Sequence, residues 1–308
     1  MFAVDESQGQ AGVQRMGGAS GSIRIAAALL GALVLLGAPE AVRAAGPEPA
    51  AWYVDVGGGA GWSATMDKAG HNRDTTCSPN RDCGGRHVEG FRWFQDLVPE
   101  TGHTFWVAAG RQTGRLRFEL SATQQAHPVA LEFIGITYLD GSDRAPYVVD
   151  SPYASRSTNT VDELTTRSLS VNVYRDFPVP GFRATPYLGA GLGITHVEVS
   201  GLYFHSDYFC REGRSCDPPA DRYDTVKSAD LTDVVPAAHL FAGVAWHVSD
   251  RWALDVKLAY RTVGDLAHQS AYVQHEFPGL TFREAVRGIR QGSVLLSARY
   301  TWADGTTP

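Results

Sequence analysis

From Trp252 to Arg261 the chain alternates. Trp252, Leu254, Val256, Leu258 and Tyr260 fall on one side, and Asp255, Lys257 and Arg261 on the other. Strand side chains point to opposite faces with a period of two, so this stretch predicts a strand with one apolar and one charged face. The segment Arg115 to Ala122 repeats the pattern. Three architectures accept it: a half-buried strand with its charges in water, a barrel with an apolar interior, or a transmembrane barrel with lipid outside and charges within.

Alternation and turn residues together predict about eight strands, at 52–62, 103–110, 115–125, 166–177, 184–199, 235–248, 252–263 and 291–302. Three connections are short: Arg111–Gly114, Pro178–Gly181 and Ser249–Arg251. The others, near 63–102, 126–165, 200–234 and 264–290, are long. Short turns at one end and long loops at the other are the plan of an outer-membrane barrel, whereas a soluble sandwich has no reason to sort loops by length. The expected fold is therefore all-β, an antiparallel eight-stranded transmembrane up-and-down β-barrel with long extracellular loops.

Other strands repeat the two-faced pattern. Leu188, Ala190, Leu192 and Ile194 oppose Tyr187, Gly189, Gly191 and Gly193, and Leu240, Ala242, Val244 and Trp246 oppose His239, Phe241, Gly243 and Ala245. Glycine recurs on the predicted inner face, where a narrow barrel has least room. Trp52 and Trp62 share a face ten residues apart. At about 3.3 Å per residue and a tilt of about 40°, they are separated vertically by roughly 25 Å, the height of an apolar membrane band. Trp52, Trp62, Trp246, Trp252, Tyr260 and Trp302 are accordingly expected at the membrane interfaces.

Eight strands enclose just enough space for their inner side chains. Asp55, Arg117, Glu119, Asp255, Lys257, Arg261 and Arg299 would meet there. Because isolated buried ions are costly and both signs are present, a sealed ion-pair network is expected ahead of a conducting pore.

The first 44 residues read as a cleaved signal peptide, leaving 45–308 as the barrel domain. Arg24 precedes the apolar run Ile25 to Leu36, and Val42-Arg43-Ala44 resembles a small-residue cleavage site. The run is too short for a spanning helix. Either Met1 or Met16 serves as a start. Cys77, Cys83, Cys210 and Cys216 form two Cys-x5-Cys pairs, which in an exported chain read as disulfides. Three connectivities are possible, the two local ones favoured; a zinc site is the rival reading, without the usual tight Cys-x2-Cys spacing. The signal removes three of 27 basic and three of 33 acidic residues, leaving 24 against 30, a net charge of −6 that argues against nucleic-acid binding.

The stretches Trp52–Gly59, Thr185–Gly193, Val248–Trp252 and Ser297–Trp302 resemble those of eight-stranded outer-membrane β-barrels of the opacity-protein and OmpA-like type, also called porin-like surface proteins. The tail 303–308 departs from them, since such barrels usually end on the last strand's aromatic. The resemblance implies a place in the outer membrane of a Gram-negative-type cell and contact with outer-membrane lipid, lipopolysaccharide and the barrel assembly machinery. It implies a non-enzymatic surface protein, in envelope structure or adhesion through disulfide-pinned loops, with a ligand the sequence does not name. A narrow passive porin is the alternative.

One barrel family of this size deacylates lipid A with a His-x-Ser motif and a Glu. His268, Ser270 and Glu284 are the weak counterparts here, but Ala271 stands where that motif has Asn. No cofactor is expected. No metal is expected either: Asp217, Asp221, Asp224, Asp230 and Asp233 are clustered, but they lack the spacing of a calcium loop and read as a solvated outer loop. Phe91-Arg92-Trp93-Phe94 is expected to pack within its own long loop.

Overall fold

A computed structural model describes residues 50–303. The signal-peptide reading and the tail beyond Ala303 lie outside the described residues. Thirteen antiparallel strands account for nearly all of the structure: β1 (Ala51–Ser63), β2 (Met66–Asn72), β3 (Phe91–Pro99), β4 (Gly102–Thr113), β5 (Leu116–Tyr138), β6 (Tyr153–Thr160), β7 (Glu163–Asp176), β8 (Ala184–Cys210), β9 (Thr225–His247), β10 (Trp252–Val263), β11 (Leu266–Ala271), β12 (Thr281–Arg287) and β13 (Arg290–Ala303). Among the described residues no helix is long and apolar enough to cross a membrane.

Eight of these strands form a ring. Starting from β1, the ladders run through β4, β5, β7, β8, β9, β10 and β13, and β13 pairs back onto β1 with Trp52 opposite Trp302. Closure leaves no edge strand and satisfies every ladder from within the protein, as a lipid surround requires. The turns at one end are short, and Gly114 (φ +57°) and Gly181 (φ +81°) take the left-handed backbone conformation there that side chains resist.

The facing of side chains fixes the surroundings. Along β10, Trp252, Leu254, Val256 and Leu258 are exposed while Ala253, Asp255, Lys257 and Arg261 are buried. Leu192 on β8 is 72% exposed and Leu296 on β13 is 65% exposed. A belt of aliphatic residues around a polar interior inverts a water-soluble barrel and is the surface of a membrane-spanning one. Aromatics gather at its two margins. Near the short turns, Trp52, Trp302, Tyr300, Trp252 and Trp246 lie on four consecutive strands, with Trp252 and Tyr300 ring centroids 4.9 Å apart. At the other margin, Trp62 and Tyr260 flank Gly292 from its two neighbouring strands.

The expected long loops are mostly strands. β5 continues to Tyr138 and β8 to Cys210, well past the limits that alternation suggests. Beyond the ring, β5 leaves β7 at Pro128 and pairs from Val129 with β3, extending the sheet through β2 and β12 to β11. β6 pairs with the far part of β8, and β9 follows β8 outward. Alternation between lipid-facing and lumen-facing residues ends with the ring, but the backbone pairing of β5, β8 and β9 continues past it. The result is a strand-built extension above the ring. Its outer connections are pinned by the disulfides Cys77–Cys83 and Cys210–Cys216.

Candidate functional site

The interior of the ring is a filled polar core. Asp55, Arg117, Glu119, Asp255, Lys257, Arg261 and Arg299 are all at most 5% exposed. The alternation that points their neighbours into lipid points them inward. Lys257 Nζ lies 3.1 Å from Asp55 Oδ2, and Arg299 bonds Asp255. Arg117 pairs with Asp176 at 2.9 Å and lies beside the rings of Tyr174 and Tyr187. Glu119 accepts from Tyr53 at 3.0 Å, Tyr174 at 2.8 Å and Asn172 at 3.1 Å. Arg261 is held by neutral oxygens of Ser168, Thr166 (2.7 Å), Gln125 (3.0 Å) and Gln291. Four carboxylates (Asp55, Glu119, Asp176, Asp255) therefore face four cations (Arg117, Lys257, Arg261, Arg299).

Sequence reasoning placed Tyr187 on the inner face but did not single out Asp176, Tyr174 or Asn172. The signal was present, since Asn172, Tyr174 and Asp176 alternate with the exposed Val171 and Val173. The inner glycines serve these tyrosines: a Cβ at Gly189 would collide with the Tyr174 ring, and one at Gly243 with the Tyr187 hydroxyl. Tyr174, Tyr187, Trp106 and Phe241 pack together across the interior. A void beside Arg261, lined by Trp106, His239 and Gln291, holds only about 20 Å³, roughly one water.

Above this core the inward side chains change character. Met66, Leu97, Leu164, Val199, Leu231, Leu266 and Val286 are each fully buried and pack as one apolar layer. Along β10 the inner face runs from Lys257 through Arg261 to Val263, and along β3 from Gln95 to Leu97. The layer is thus a septum, with polar groups on both sides.

Beyond the septum, inside the extension, Glu284 accepts from Lys68 Nζ and Lys227 Nζ, each at 2.7 Å, and from Trp93 Nε1 at 3.1 Å. Lys68 also donates to Gln95 at 2.7 Å, and Lys227 lies 4.3 Å from the Trp93 ring centre. Burial alone would push the Glu284 carboxyl up, but the two ammonium groups hold it down to about 2. Burial brings the Lys68 ammonium down to about 8 despite Glu284.

This arrangement does not build the hydrolase motif. His268 sits opposite Glu284 in the β11–β12 ladder, and Ser270 lies two residues along the same strand, not in a loop. The Glu284 oxygen that is bonded serves two lysines and an indole, and no hydrogen bond joins it to His268 or His268 to Ser270 among the described residues. Phe91-Arg92-Trp93-Phe94 likewise belongs to a strand, β3, with Phe91 and Trp93 buried and Arg92 and Phe94 exposed. Of the clustered aspartates, Asp230 and Asp233 fall on β9, and Asp224 accepts from the Tyr208 amide at 2.8 Å.

No protein-family model and no curated protein matches the sequence. Among solved structures the chain is similar to Neisserial surface protein A, with 15% identity, a TM-score of 0.39 and coverage of 82% of this chain and 99% of that one. It is similar to the outer membrane protein OprG from Pseudomonas aeruginosa, with 12% identity, a TM-score of 0.37 and coverage of 83% and 98%. It is also similar to Ail, the attachment invasion locus protein of Yersinia pestis, with 8% identity, a TM-score of 0.31 and coverage of 83% and 100%.

Proposed function

We propose that this protein is a non-conducting outer-membrane surface protein, exported by the segment 1–44, whose sealed barrel anchors a strand-built body for contacts outside the cell. The observation that carries this reading is the stacked interior: a charge-balanced core closed by an apolar septum. Ions crossing it would have to shed water against aliphatic side chains, and an aliphatic constriction is a barrier even where it is not fully closed. The role is envelope structure or adhesion, with outer-membrane lipid and lipopolysaccharide around the apolar belt and the assembly machinery acting on the unfolded chain.

Two measurements test it. Outer-membrane fractionation with boiled and unboiled electrophoresis is expected to recover the chain in the membrane with heat-dependent mobility. Planar bilayers containing the folded barrel are expected to show no discrete conductance steps. Reproducible steps altered by Arg261→Ala would replace this reading with the passive pore. Loss of lipid A acyl chains that depends on Ser270 would replace it with the hydrolase.

A further inference from the structure

His205 and Asp207 lie two residues apart on β8, so they share a face, and Asp224 lies where the β8–β9 ladder would place the partner of Asp207, since Ser206 is opposite Thr225. One ligand atom from each of the three lies within 4.8 Å of the others, in a half-buried position. Two carboxylates directly opposite each other on neighbouring strands repel. Among the described residues the Asp207 carboxylate makes no ion pair or hydrogen bond, although its backbone lies in the β6–β8 ladder. The cation in register with it, Arg156 on β6, is turned over the Phe209 ring at 5.9 Å. Asp224 uses Oδ1 to accept from the Tyr208 amide, which fixes the carboxylate and leaves Oδ2 available.

We propose that His205, Asp207 and Asp224 bind a divalent transition metal of the Zn²⁺ class. An imidazole with two carboxylates is a hard–borderline N,O,O donor set that suits Zn²⁺, whereas Ca²⁺ takes six to eight oxygens. Three protein ligands leave a coordination position open, to water or to a donor from a partner. The metal would cancel the repulsion and tie the far end of β8 to the segment entering β9. Between those two lies the connection that carries Cys210–Cys216. Sequence spacing hides this site because two of its ligands lie on β8 and the third in the segment entering β9, rather than in one loop. The assignment stands whether or not the barrel conducts.

The test is calorimetric titration of ZnCl₂ into the chelator-stripped, detergent-folded full barrel. One equivalent is expected to bind to the wild type. His205→Ala and Asp207→Asn are each expected to weaken it at least tenfold. Asp224→Asn is expected to do the same while keeping the acceptor for Tyr208, which separates loss of a ligand from loss of the local fold. Heat-dependent mobility of every variant reports that the barrel is intact. Zn²⁺ at ten times its Kd is also expected to slow trypsin cleavage at Arg211, Arg214 and Arg222 about tenfold in the wild type alone. Absence of stoichiometric Zn²⁺ binding, or binding unchanged in all three variants, overturns the proposal. Binding of Ca²⁺ in place of Zn²⁺ overturns the assignment of metal class.

Discussion

At the scale of single residues, buried ions are tolerated because each meets a partner before it meets the protein's apolar matter. Glu284 is the sharpest case, one carboxylate between two ammonium groups. Glu284→Gln leaves both lysines uncompensated and is expected to destabilise the extension by about 3–5 kcal/mol, read from the urea midpoint of extension-specific tryptophan fluorescence. Because the folded carboxyl is held at about 2, against an ordinary value of about 4.3, the unfolded chain binds more protons between those values. Its contribution is therefore complete above about pH 4.5 and lost as pH falls toward 2, a loss that Glu284→Gln should abolish. In the barrel, Asp55→Asn is expected to cost about 3–5 kcal/mol by stranding Lys257, whereas Asp55→Asn with Lys257→Met should recover most of it. A double-mutant cycle on detergent-folded protein checks both.

At the scale of elements, the eight ring strands were legible in the sequence because lipid and lumen enforce opposite chemistry on alternate residues. Val171, Val173 and their buried neighbours Asn172 and Tyr174 could be sorted without any structure. The extension was not legible. Outside the membrane nothing demands apolar residues on an outer face, so β2 reads Met-Asp-Lys-Ala-Gly-His-Asn and β6 reads Tyr-Ala-Ser-Arg-Ser-Thr-Asn-Thr, with no stripe to find. The lumen charges were visible singly, but their pairing depends on strand stagger, which no local pattern records. The extension also carries a like-charged row: Asp96 stands between Asp67 on β2 and Glu132 on β5, and burial together with those two carboxylates raises its own. Asp96→Asn is expected to stabilise the extension by roughly 0.5 kcal/mol, with the gain vanishing in acid as the wild-type carboxyl protonates. Opening the short Cys210–Cys216 ring should cost about 2 kcal/mol of local stability. Amide exchange is expected to accelerate near that loop while the ring strands stay protected.

At the scale of the molecule, the two aromatic margins and the apolar belt between them give the barrel a fixed depth. Of seven tryptophans, Trp52, Trp62, Trp246, Trp252 and Trp302 are exposed at the margins, whereas Trp106 is buried in the lumen and Trp93 in the extension. In vesicles with brominated acyl chains, the exposed five are expected to be quenched. A variant with those five replaced by Phe should keep the emission of Trp93 and Trp106 nearly unquenched. The ring also has a seam, where Ala51 faces Ala303 across the β1–β13 ladder. The first and last strands are thus nearest neighbours in space and the most distant in the chain. The circle is complete only when β13 pairs with both β1 and β10; without that strand the other seven would leave two open edges. Because the ends abut, a short peptide joining residues 50 and 303 would make the barrel a loop without a start. New ends could then be opened at Gly114, where the same fold should assemble around a different last strand.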